Sequence, residues 1–251
     1  MAIQEIEPLK LRRKRCWRVD KKDKKFIVAM DGPAGVGKST AARRVAEILG
    51  YAFVDTGAIY RCLAWLAEEK HIPWTDGPAL GTLAQNMHIA FVPHDGGQRV
   101  FVDDYDVTDA IRTREISQGS STVSAHPQVR EVLIALQRKL AMEASHGAVL
   151  EGRDIGTVVF PDAAVKFFLT AQPEVRAKRR YDELQARGVS ASLDDILHEV
   201  QARDLQDTAR AISPMRPADD AEVFDTSALR LDEVIGHIVA CVRRVDPIPS
   251  H

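Results

Sequence analysis

Cysteine is scarce in this chain: three in 251 residues, Cys16, Cys62 and Cys241, far apart and without a CxxC pair. That pattern suits a reducing cytoplasm better than a disulfide scaffold or a zinc site. Long apolar runs are lacking too. The longest, such as residues 26–30 and 132–136, fall far short of the ~18–20 residues of a membrane helix, so no membrane span is predicted. The first 25 residues contain no apolar core and do not read as a secretory signal. Repeats and low-complexity blocks are missing beyond that segment, which excludes collagen, coiled coil and wholesale disorder. What is present, 45% hydrophobic and 28% charged residues, fits one sizeable globular domain or two small ones.

The net charge of −2 conceals an asymmetry. Residues 1–25 carry ten basic and four acidic side chains, a balance of +6, leaving −8 for the rest. Such a tail can touch RNA or anionic lipid nonspecifically, but it has little apolar surface to offset the entropy of ordering, so it reads as a solvated, mobile extension.

From residue 26 onward β-rich runs alternate with helical patterns, the mark of a parallel sheet wrapped by helices. Strands are predicted at 26–30, 51–54, 148–151, 164–170 and 222–225. Helices are predicted at 39–49, stopped by Gly50, and after an N-cap at Thr56. Others follow at 127–144, from Pro173, from Ser192, and through Leu231, Val234, Ile238 and Val242. Residues 87–108 break the rhythm. Two alternating runs around a Gly96-Gly97 turn, then an acidic turn at Asp103-Asp104, predict a small antiparallel hairpin or meander inserted into the α/β core.

Gly32, Pro33, Ala34, Gly35, Val36, Gly37, Lys38 and Ser39 spell G-x-x-x-x-G-K-[ST] between a buried strand and a helix. Glycine lets backbone N–H groups converge on phosphate oxygens, and the helix N-terminus adds its positive end. Lys38 reaches the outer phosphates and the Ser39 hydroxyl can ligate Mg²⁺. A nucleoside triphosphate site follows. The chain has one asparagine, Asn86, followed by Met87, so the N-K-x-D element of guanine-specific switches is absent; D-x-x-G is missing as well. A small-molecule kinase is the remaining reading.

Three segments offer an acceptor site. Arg61 follows the second strand on a predicted helix, where it can clamp an anion. Arg153 and Asp154 leave the third strand at its C-terminal end, where α/β ligand sites gather, as a phosphate-binding guanidinium and a carboxylate for a base amino group. Arg203, Asp207 and Arg210 continue the apolar stripe of Ile196 and Val200 at ~100° per residue, turning a packing face into a polar one.

Together these residues resemble the bacterial cytidylate kinase family over about nine-tenths of the chain. The likeness rests on Gly-Pro-Ala-Gly-Val-Gly-Lys-Ser-Thr (32–40), Asp-Thr-Gly-Ala-Ile-Tyr-Arg (55–61), Ile-Arg-Thr (111–113) and Pro-x-Val-Arg (127–130). It extends to Gly-Arg-Asp-Ile-Gly-Thr-Val-Val-Phe-Pro-Asp (152–162) and Arg-Asp-x-x-Asp-x-x-Arg (203–210). It implies an α/β P-loop nucleoside monophosphate kinase fold: a five-stranded parallel sheet flanked by helices, an antiparallel-sheet insertion and a helical lid. By that likeness the CORE spans 26–55, 110–170 and 211–251, the monophosphate-binding region 56–109 and the lid 171–210.

The implied activity is phosphoryl transfer from ATP, with Mg²⁺, to CMP or dCMP, by a cytoplasmic monomer. Residues 32–40, Thr40 included, would hold ATP, with Ser39 as the protein's Mg²⁺ contact. Arg61, Arg153 and Arg210 would take the acceptor phosphate; Ser121, Arg130 and Asp154 the cytosine edge; Arg203 and Asp207 the sugar; Thr56 and Tyr60 would line the pocket. Lys38, Arg153, Arg179 and Arg210 would be catalytic, and the basic helix with Arg176, Lys178, Arg179 and Arg180 would close its charges on the transferring group. The chain departs from the family pattern with Thr56 for serine, Glu151 for aspartate and Arg230 for a capping hydroxyl; the basic tail lies outside the pattern. Other readings of the residues are a kinase for UMP or a small alcohol, and a P-loop regulatory module whose tail engages RNA.

Overall fold

In the first strand, β1 (Phe26–Asp31), all six residues are buried. Ile27 and Ala29 belong to one hydrophobic cluster, Phe26, Val28 and Met30 to another. Side chains alternate across a strand, so this one is covered on both faces, as the middle of a parallel sheet must be. The computed structural model describes residues 25–94, 97–186 and 188–246. The basic extension apart from Lys25, and Gly96 of the expected turn, lie outside them.

Strands β2 (Ala52–Asp55), β6 (Gly147–Gly152), β7 (Val165–Thr170) and β8 (Glu222–Asp225) complete a five-stranded sheet in the order β2-β6-β1-β7-β8, with every pair parallel. One cluster packs this sheet against α1 (Lys38–Leu49) and α8 (Leu231–Val245). The other packs it against α2 (Thr56–Glu69), α3 (Gly77–Asn86), α4 (Arg114–Val123) and α5 (Pro127–Met142). From β1 the chain goes first to one side and later to the other. Its C-terminal edge beside β6 is therefore the switch point where α/β folds take ligands. The register places Asp31 opposite Gly152 and Asp55 opposite Glu151, so the segments leaving β1, β2 and β6 emerge together.

The insertion is a meander. Strands β3 (Ile89–His94), β4 (Gly97–Val102) and β5 (Tyr105–Asp106) pair antiparallel in sequence order, with Val100 and Val102 turned into the core. Two further helices, α6 (Pro173–Ala186) and α7 (Leu193–Thr208), follow β7, and the Ser192 hydroxyl accepts the Asp195 N–H at 3.4 Å to cap α7.

The structure corrects four details. Asp55, not Thr56, caps α2: its carboxylate accepts the Ala58 N–H at 2.7 Å, whereas Thr56 is already helical and its hydroxyl donates to the Glu151 carbonyl at 2.7 Å. Aspartate is the stronger helix-start signal here because it also meets the positive end of the helix. Helices α3 and α4 are not foreseen, nor is the π-helical turn formed by residues 155–159. Arg210 lies two residues beyond the end of α7, so it reaches the Asp207 carboxylate from the turn after the helix rather than along a helical stripe. Among the described residues no helix is long and apolar enough to cross a membrane.

Candidate active site

The loop after β1 turns back under strain that only glycine tolerates. Gly32 has φ 140°, and a Cβ on it would lie 2.1 Å from the Leu169 carbonyl oxygen; Gly35 and Gly37 also have positive φ, 77° and 91°. The loop runs into the N-terminus of α1, where backbone N–H groups lack helical partners. Lys38 opens that helix, is 4% exposed, and donates from Nζ to the Pro33 carbonyl at 2.7 Å. Burial, reinforced by the neighbouring Arg153 cation, pulls its ammonium down to about 7 although Glu151, Asp31 and Asp207 pull the other way. The Ser39 hydroxyl donates to Glu151 Oε1 at 2.7 Å. Burial, with Asp55 beside it, pushes that carboxyl above the ordinary range.

Beside this loop lies a cationic cluster held on carboxylates. Asp207 is 1% exposed and takes Arg153 Nε at 2.8 Å and Arg210 Nη2. Burial would raise its carboxyl, but Arg153, Arg210 and Arg203 outweigh it and hold the group below the usual range. Arg203 feels Arg153, Arg61 and Arg210 around it; burial first, then these cations, lower it to about 10. Arg61 pairs with Asp55 at 3.2 Å. The Nε atoms of Arg61, Arg203 and Arg210 are buried without a hydrogen-bond partner among the described residues. Buried donors left unsatisfied are costly. Such an arrangement is chemically suited to an anion: four guanidiniums lie among two carboxylates and keep donors in reserve.

A second pair sits deeper. Arg130, 3% exposed, meets Asp154 through Nη2, and its Nη1 donates to the Ser124 carbonyl at 3.4 Å. Its Nε is also unpartnered. The guanidinium lies over the Tyr60 ring, 5.9 Å from the centroid. Burial pushes the Asp154 carboxyl up, against the pull of Arg130 and Arg210. Ser121 is buried on α4, three residues before Ser124.

In the predicted basic helix most of the charge is paired within the protein. Arg176, 2% exposed, makes a bidentate pair with Asp204 of α7 at 3.0 and 2.5 Å and donates to the carbonyls of Ala171 and Ala34. It fastens α6 and α7 to the phosphate loop, and all its charge is already committed. Lys178 and Arg180 pair with Asp182 and Glu183 on their own helix. Arg179 alone of the remaining three touches the loop, donating to the carbonyls of Val36 at 3.3 Å and Thr226 at 2.8 Å.

A family model described as cytidylate kinase matches residues 28–244. The chain belongs to the cytidylate kinase family. Cytidylate kinase of Syntrophotalea carbinolica is 47% identical over 220 residues, 88% of this chain and 93% of that one. That of Geobacter sulfurreducens is 48% identical over 218 residues, covering 87% and 93%. A solved structure of an uncharacterized protein from Eubacterium ventriosum has a TM-score of 0.50 at 13% identity, covering 90% of this chain and 100% of that one; it shares the fold.

One residue outside the motifs ties the phosphate-loop strand to the turn after β6. Asp31 closes β1, buried, and accepts the N–H groups of Ile155 at 2.8 Å and Gly156 at 2.7 Å. It ties the strand that feeds the phosphate loop to the turn that carries Arg153 and Asp154. A carboxylate ending an apolar strand was the available signal. Arg138 holds the same turn from outside, donating to the carbonyls of Val159 at 2.8 Å and Val158 at 3.0 Å. Burial raises Asp31 from 3.8 to about 7, against these two N–H groups. A raised folded value means that the folded state binds the proton more tightly. The stabilisation is complete below about pH 4 and is lost as pH rises through about 7. Chemical denaturation across that window should show the native chain losing stability relative to Asp31→Asn as pH rises; parallel curves would contradict it.

Proposed function

We propose that this chain transfers the γ-phosphoryl group of ATP to CMP and dCMP, giving ADP and the cytidine diphosphate. The observation that carries the acceptor is the cluster of Arg61, Arg153, Arg203 and Arg210, whose buried Nε donors at Arg61, Arg203 and Arg210 await an anion. A dianionic phosphate satisfies them and balances the surplus charge. Asp207 and Asp55 hold the guanidiniums in place meanwhile, so little reorganisation accompanies binding.

Cytosine presents an amino donor beside ring-nitrogen and carbonyl acceptors, the complement of Asp154 and Arg130. Tyr60 and Thr56 wall the pocket, Ser121 adds a hydroxyl at the base, and Arg203 and Asp207 face the sugar. Residues 32–40 cradle ATP. Ser39 and Glu151 supply oxygen donors of the kind Mg²⁺ takes, which fits an ion that neutralises donor-phosphate charge. The acceptor phosphate is already anionic and needs no general base. The protein's task is alignment and charge neutralisation by Lys38, Arg153 and Arg210, with Arg179 beside the loop.

In this reading residues 26–55, 110–170 and 211–251 form the CORE, 56–109 the monophosphate-binding region, and 171–210 a lid that excludes water. One copy, working in the cytoplasm, supplies every group. ADP release followed with CMP, dCMP, UMP and AMP as acceptors tests it. CMP and dCMP should stimulate turnover strongly; release that no acceptor stimulates would favour a binding module instead.

A further inference from the structure

On the face of the sheet turned toward α8, away from the cleft, Glu222 of β8 meets His237 and Cys241, one turn apart on α8. Among the described residues these three alone bring ligand atoms of this kind together, all within 4.8 Å of one another. His237 Nε2 lies 2.6 Å from Glu222 Oε1 and 3.6 Å from Cys241 Sγ. Both partners therefore converge on the same ring nitrogen. A nucleophile relay would use opposite nitrogens, one for the thiol and one for the carboxylate. Convergence on one point is instead how ligands surround an ion.

We propose that Glu222, His237 and Cys241 form a binding site for a thiolate-preferring divalent cation, zinc in the first place. Tetrahedral zinc with bonds of about 2.3 Å to sulfur and about 2.0–2.1 Å to nitrogen spaces those ligands about 3.6 Å apart, the separation found between Cys241 and His237. The carboxylate must withdraw by a little under ~1 Å to complete the set. Glu222 can do so, because it stands on the terminal strand of the sheet with its side chain 21% exposed.

The surroundings suit the ion. His237 is fixed by Phe224, with ring centroids 4.6 Å apart, and by the edge of Phe167 at 6.3 Å. Arg244 Nη2 donates to Cys241 Sγ at 2.9 Å, the outer hydrogen bond that favours a thiolate and tunes a metal ligand. On binding, the Cys241 thiol and the His237 imidazolium, which its contacts with Cys241 and Glu222 keep protonated, each release a proton to solvent, freeing the Sγ and Nε2 electron pairs for the metal. Thiolate and carboxylate then balance the divalent charge, with neutral imidazole as third ligand and water as fourth. Cys241 is 1% exposed, which shields the sulfur, while the partly exposed His237 and Glu222 provide the entry.

The test uses the full chain, freed of metal with a chelator, and Co²⁺ as the spectroscopic probe. One equivalent should produce a thiolate-to-cobalt charge-transfer band in the near ultraviolet and intense visible bands of a tetrahedral site, both erased by Zn²⁺. Cys241→Ser should lose the charge-transfer band. Since that sulfur is buried, Glu222→Gln serves as the second variant: it should keep the band but bind at least tenfold more weakly. CMP phosphorylation should be unchanged in both. A native chain without the band, a band that survives Cys241→Ser, or equal affinity in Glu222→Gln would overturn the site.

Discussion

Replacing Lys38 with alanine should lower kcat for CMP phosphorylation by roughly 10³-fold, the scale seen when one preorganised charge-stabilising donor is removed. Lys38 is the buried ammonium at the mouth of the phosphate loop, and its Nζ rests on the Pro33 carbonyl of that loop. Arginines near the loop are engaged elsewhere: Arg153 with Asp207, Arg176 with Asp204, and Arg179 with the carbonyls of Val36 and Thr226. The loss should be the same for every acceptor, because Lys38 serves the donor. Steady-state kinetics with CMP and dCMP check this; a defect confined to one acceptor would place Lys38 on the wrong side of the reaction.

Asp207→Asn should act on the acceptor side and on the fold together. Its carboxylate holds Arg153 and Arg210 and partly offsets Arg203, at 1% exposure. Removing one partner of a buried ion pair costs about 3–5 kcal/mol because the remaining charge is left uncompensated. We expect a loss of that size in denaturant unfolding of the free protein. Bound CMP should recover part of it, since its phosphate takes over the charge balance. In the kinetics, kcat/KM for CMP should fall by about 10² or more, with ATP affinity little changed. An Asp207→Asn chain of native stability and native CMP kinetics would show that the cluster does not depend on this carboxylate.

Much of this molecule was legible beforehand because its signals are local. A six-residue apolar strand, a glycine-rich turn and Lys38-Ser39 define a phosphate loop by chemistry that depends only on neighbours in the chain. The alternation around residues 87–108 likewise announced an antiparallel insertion, found as β3, β4 and β5. Other features required distance. Asp31 and Gly156 lie 125 residues apart, and their contact exists only because β1 and β6 are adjacent in the sheet. Arg176 shows the same limit. Its place in a basic helix suggested a mobile charge, yet packing turned it into a buried tie among α6, α7 and the loop. Helix α3 was missed because its ten residues include two glycines and one proline, a composition that reads as a loop. Asp55 was passed over for the adjacent Thr56, and only the hydrogen bonds distinguish which of the two caps the helix.

The proposed recognition of cytosine rests on Asp154 and the Arg130 that pairs with it. Uracil would turn a carbonyl toward the carboxylate and leave buried polar groups mismatched, which costs orders of magnitude in selectivity. The most direct measurement is the ratio of kcat/KM for CMP over UMP in the native chain and in Asp154→Ala. The native ratio should be at least about 10² and should drop by tenfold or more in the variant, while ATP binding is retained. Equal rates on CMP and UMP in the native chain, or a ratio untouched by Asp154→Ala, would contradict it.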